Sequence, residues 1–135
     1  MNKARISLAQ YRIQRAQECL EDARLLFANG KYNSTVNRAY YAAFYGVRAL
    51  LALKGLDAAK HAGVISLFNR EYVKTGLLRA DAGRTLQRLF DARTEGDYKD
   101  LVMVEKAQAS TLLDLAQGFV TDVSELLNKQ IASDK

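Results

Sequence analysis

Proline and tryptophan are absent from this 135-residue chain, and cysteine and histidine occur once each. Each shortage excludes something. Without proline, nothing in the composition forces a break inside a helix. The single Cys19 cannot form an intramolecular disulfide, which points to a reducing, cytoplasmic setting. One His and one Cys are too few for an ordinary zinc site. The Glu-x-x-His pairs of carboxylate-bridged metal sites in helical bundles do not occur. The 8 glycines stand singly, so no Walker-type or dinucleotide-type phosphate loop can be assembled. An acyl-transfer triad would have to be built on His61, and no strained nucleophile turn surrounds it. No metal and no cofactor is therefore expected. Apolar runs fall short of the ~20 residues a membrane span needs, and Met1 to Gln10 carries charges where a secretory signal would be apolar.

What is present suits one helical domain. A chain of 135 residues can bury one substantial core, so residues 1–135 read as a single all-α domain. The net charge of +5 is unevenly placed: residues 31–93 hold 11 Lys/Arg against 4 Asp/Glu, a basic middle able to meet a polyanion. Asp81, Arg84, Arg88 and Asp91 share one helix face and are expected to pair with one another.

Hydrophobic periodicity predicts five helices. The first runs from about Ser7 to Ala28 and ends at Asn29-Gly30. The second spans Tyr32 to Lys54, stopped by Gly55, and so short a connection makes the two antiparallel neighbours. His61 to Lys74 forms a third. Arg79 to Arg93 forms a fourth, closed by Gly96, and Asp100 caps a fifth that reaches Ile131 before a fraying tail.

The second helix is the most informative stretch. Val36, Tyr40, Ala43, Phe44, Val47, Leu50 and Leu51 make an ordinary core stripe. Arg38, Tyr41, Tyr45, Arg48 and Ala52 run beside it. One stripe packs on the chain's own helices, which leaves the other to find a further layer, a subunit or a ligand. On the fourth helix, Arg93 stands where the apolar stripe of Ala82, Leu86, Leu89 and Phe90 should continue, so its guanidinium must find an anion or an acceptor.

Four segments in order, Tyr32 to Phe44, Ala49 to Gly55, His61 to Val64, and Arg93 to Tyr98, resemble a small prokaryotic HEPN-domain family over roughly residues 10 to 130. The resemblance implies an antiparallel, up-and-down bundle of four to five helices. It implies a homodimer formed through the long helices, here with Tyr41, Tyr45 and Arg48 at the interface. It also implies a partner, a minimal nucleotidyltransferase encoded alongside in toxin-antitoxin-like modules. Many family members resemble metal-independent ribonucleases with an Arg, a polar neighbour, and a His four to six residues after the Arg. Arg93 and Thr94 match the first two. Asp97 and Tyr98 stand where the His belongs, and no histidine follows. A Tyr near pKa 10 is a poor base and an Asp near 4 a poor acid at neutral pH, and losing one general acid or base costs ~10²- to 10⁴-fold in rate.

Each site residue keeps two readings. His61 caps a helix N-terminus, or one of Asp97, Tyr98 and His61 serves in place of the missing His as a catalytic group beside Arg93. Arg93 contacts helix carbonyls or Asp97, or else a phosphate at a dimer cleft. Tyr98 packs as an amphipathic ring, or is the counterpart of a tyrosine that such nucleotidyltransferases modify with adenylate. Arg38 stacks within a helix pair or on a nucleobase. The leading reading is a dimeric binding partner of a nucleotidyltransferase, contacting nucleotide or RNA through Arg38, Arg93 and Thr94. The alternatives are an RNA endonuclease with a degenerate motif and a purely structural dimer.

Overall fold

The computed structural model describes residues 1–98 and 102–134, with the backbone alone for Gly96, Asp97 and Tyr98. The described residues form five helices and no strand: α1 (Lys3–Ala28), α2 (Tyr32–Leu53), α3 (His61–Phe68), α4 (Ala80–Tyr98) and α5 (Lys106–Ser133). α3 runs on through one π-helical turn, Asn69–Val73. The all-α bundle is as predicted.

α2 is the central element, touching each of the other four helices. Its core stripe, from Val36 to Leu51, is sealed from solvent. Gly46 lets α5 approach closely, since a Cβ there would lie 3.3 Å from Val123 Cγ1. The α1–α2 connection turns at Gly30, whose φ of 74° lies in the left-handed region. α1 begins earlier than Ser7 because Asn2 Oδ1 accepts from the Arg5 backbone N–H at 2.8 Å and caps the first turn.

Three further features differ from expectation. α3 widens into a π turn, and Tyr72 on that turn donates its hydroxyl to the Leu50 carbonyl at 2.7 Å. α4 passes through Gly96 to Tyr98 without stopping, because one helical glycine costs only ~1 kcal/mol relative to alanine. α5 starts at Lys106 with Glu105 as its N-cap residue, and Asp100, the predicted cap, lies outside the described residues. Asn33 holds the strand of chain before α5: its Nδ2 donates to the Val102 carbonyl at 3.2 Å and its Oδ1 accepts from Val104 N–H at 3.0 Å.

The acidic and basic residues of α4 do not pair as predicted. Asp81 takes Arg79 at 3.1 Å, and Asp91 accepts from Gln87 Nε2 at 2.9 Å. Both are exposed contacts of little energetic weight.

Candidate functional site

Three helices bring their side chains together at one end of α4. α2 contributes Tyr40, Tyr41 and Phe44, α3 contributes its first residue His61, and α4 contributes Phe90 and Arg93. The His61 ring lies stacked on Phe44, with centroids 4.3 Å apart, and stacks at longer range on Tyr40. Tyr41 meets it edge-on and Phe90 closes another side. His61 Nδ1 lies 2.8 Å from the Tyr40 hydroxyl. The residue at the N-cap of α3 is Lys60, in extended conformation, so the capping role read for His61 is not the one its Nδ1 takes.

Electrostatics here follow from enclosure. Burial, then the charges of Arg93 and Arg48, lowers the His61 pKa below its ordinary value, so the ring is neutral at pH 7. Burial pushes the Tyr40 phenol up, against a smaller opposing pull from Arg93, so it keeps its proton.

Arg93 is half-buried and rides on the same rings. Its Nη2 donates to the Tyr41 hydroxyl at 3.0 Å, and its Cζ sits 5.3 Å from the Tyr41 ring centre and 5.6 Å from that of Tyr40. Arg38 reaches Tyr41 as well, at 5.0 Å, while two of its nitrogens donate to Asn37 Oδ1. Two guanidinia thus share one tyrosine ring, each within cation–π range. The break in the apolar stripe at Arg93 is answered by aromatic faces and a hydroxyl, with α2 as the neighbour.

The remaining predicted residues scatter. Thr94 is half-buried, and its Oγ1 is enclosed without a hydrogen-bond partner among the described residues. Asp97 and Tyr98 fall on the last turn of α4, but their side chains lie outside the described residues, and so do the catalytic and modification roles read for them. Tyr45 packs under Arg15 of α1 at 5.4 Å, and Arg48 bonds Asp57 at 2.8 Å. The second stripe of α2 therefore finds partners on α1, α4 and the loop after α2, and does not by itself require a subunit. Tyr40, Phe44 and Phe90, read from the sequence as core, are the walls of the site. The signal that could have marked Tyr40 is its hydroxyl, which a fully buried position obliges to bond.

One cavity borders this arrangement and another lies apart from it. A cleft of ≈ 400 Å³ beside Arg38 is lined by Leu26, Asn33, Ser34 and Asn37. A larger one of ≈ 570 Å³ lies between the start of α4 and α5, lined by residues such as Leu78, Phe119, Asp122 and Leu126, and touches none of the predicted site residues. Among the described residues no cluster of His, Cys, Asp and Glu could hold a metal ion, and no helix is long and apolar enough to cross a membrane.

A sequence profile of the HEPN domain matches residues 9–126. The chain belongs to the HEPN domain family. A UPF0332 protein of Thermotoga maritima is 44% identical over 120 residues, covering 89% of this HEPN chain and 91% of its own. A Methanocaldococcus jannaschii protein named "putative toxin" is 35% identical over 117 residues, 87% of each chain. The HEPN fold is also that of TT1696 from Thermus thermophilus, whose crystal structure superposes with a TM-score of 0.74 at 20% identity, covering 87% of this chain and 97% of that one. Arg93 and the chain's one histidine stand on different helices and are linked through the rings of Tyr40 and Tyr41, which each of them contacts.

Proposed function

We propose that this HEPN protein is a toxin-like binding protein that contacts RNA or a nucleotide at Arg93, Arg38 and His61, and that works as a homodimer held by a minimal nucleotidyltransferase. The observation that carries the ligand reading is the sharing of the Tyr41 ring by two guanidinia beside a neutral imidazole. Guanidinia anchored on aromatic faces are pre-organised for phosphate. The toxin-like reading draws on the name of the M. jannaschii relative. The partner reading draws on the family.

Fluorescence anisotropy with a short single-stranded RNA tests the ligand. Affinity is expected to fall steeply with salt, as counterion release requires, and to drop about tenfold in Arg93→Ala. Binding that is indifferent to both Arg93→Ala and Arg38→Ala would sink this reading. Co-purification with the nucleotidyltransferase encoded alongside tests the partner, and light scattering at tens of micromolar tests the dimer. A monomer mass there removes it.

The placing of Arg93 and His61 on the same Tyr40 ring favours a second reading, a weak metal-independent ribonuclease in which His61 exchanges the proton. RNA incubated with the protein and a chelator would then be cut, and His61→Ala would stop the cutting. Equal residual cleavage by both proteins eliminates the role.

A further inference from the structure

Tyr40 is fully buried, at 0% exposure, so its hydroxyl hydrogen must find an acceptor inside the protein. Among the described residues its one hydrogen-bonding partner is His61 Nδ1. The bond can run in either direction only on paper. If Nδ1 carried the hydrogen and the phenol accepted it, the phenolic hydrogen would be left unpaired in an apolar enclosure, with nothing to offset its desolvation. If the phenol donates to a bare Nδ1, nothing is left unpaired. The single hydrogen of the neutral imidazole then sits on Nε2.

We propose that the Tyr40 hydroxyl fixes His61 in the Nε2–H tautomer, so that the ring offers a hydrogen-bond donor to a phosphate group of RNA or a nucleotide, alongside Arg93. This rests on the phosphate-binding reading above. Stacking on Phe44 fixes the ring plane, and Nε2 has no protein partner among the described residues, on a ring that is partly exposed. The tautomer has a chemical consequence. A neutral imidazole with Nδ1 engaged and a hydrogen on Nε2 has no lone pair with which to deprotonate a ribose hydroxyl. His61 is a ligand-binding group, and the ribonuclease reading loses its base. Tyr40 is accordingly a positioning residue: it acts on the ligand through the ring it holds.

His61 is the chain's one histidine, so both ring nitrogens can be assigned in a two-bond proton–nitrogen correlation spectrum of the nitrogen-labelled full chain at neutral pH. The expected pattern is a protonated Nε2 and a bare Nδ1. An Nδ1–H pattern, or the mixture of a free imidazole, overturns the proposal. Tyr40→Phe should move the ring toward that mixture while circular dichroism confirms the helices; an unchanged Nε2–H population there assigns the tautomer to something other than Tyr40 and overturns the positioning role.

Titration with a short single-stranded RNA should shift Nε2 in the wild-type spectrum. His61→Ala should weaken binding about tenfold, the value of one hydrogen bond to a charged group, and His61→Gln, which retains an N–H donor, should recover part of it. If RNA binding depends on Arg93 while Nε2 stays still and His61→Ala binds as wild type, the His61 contact is overturned and the phosphate reading stands. If binding is indifferent to Arg93→Ala and to Arg38→Ala, the phosphate reading fails and takes the ligand half of the proposal with it, while the free-protein spectrum still decides the tautomer.

Discussion

Tyr40 and Tyr72 are a natural pair: both are sealed from solvent, and burial raises the pKa of both. They differ in what their hydroxyls end on. Tyr72 donates to the Leu50 carbonyl, a backbone group near the end of α2 that has only one state. Tyr40 bonds a titratable ring that can take a proton or meet a ligand. Burial and a satisfied hydroxyl are common to both, so neither separates scaffold from site. The nature of the acceptor does.

The largest effect that sharpens this contrast is Tyr72→Ala, expected to cost ~3–5 kcal/mol of stability in urea unfolding, the usual range for a buried aromatic truncated to alanine. RNA affinity of the folded fraction should not move. A loss of affinity as large as that of Arg93→Ala would erase the distinction. Tyr72→Phe, which removes only the bond to the Leu50 carbonyl, should cost ~1–3 kcal/mol with affinity again unchanged. Arg93→Ala should behave the other way round, losing about tenfold in RNA affinity and only ~1 kcal/mol of stability from its aromatic contacts.

The smallest effect is a pH dependence. The His61 pKa is lowered in the folded protein by burial, Arg93 and Arg48, so the unfolded chain takes up a proton near pH 6.5 where the folded one resists. The sign follows: stability is complete above about 6.5, falls as pH drops from there toward the folded pKa, and levels off below it. Urea midpoints measured across that window should show the slope, and His61→Asn should flatten it. Glu71 and Asp81, held below their usual range by hydrogen bonds from Arg70 and Arg79, add their losses only in more acidic solution. Unchanged slope in the His61 variant would mean that the ring is solvated and the enclosure ineffective.

How much of this was legible in the sequence follows the range of the cause. The α1–α2 hairpin was readable because Asn29-Gly30 stops one periodic segment immediately before the next begins. The passage of α4 through Gly96 was not, since a glycine signals an end and a tolerated interior position alike. The π turn after Phe68 leaves no mark in a three-and-four pattern. At the site, Arg93 announced itself as a charge on an apolar stripe, and Arg38 and Tyr41 as neighbours on one helix face. The joining of His61 and Arg93 to the rings of Tyr40 and Tyr41 crosses three helices, and no local spacing encodes it. Tyr40 was hidden by its own burial, which made it look like core.

The amide of Asn33 bears on timing. It joins α2 to chain 69 and 71 residues away, a far longer closure than the tight turn between α1 and α2. Closing the longer loop costs more chain entropy, so the hairpin of the first two helices can form before the last helix docks. Contacts made after the rate-limiting step slow unfolding and leave folding speed nearly untouched. If the chain before α5 docks after the rate-limiting step, Asn33→Ala is expected to speed unfolding and leave the folding rate nearly unchanged.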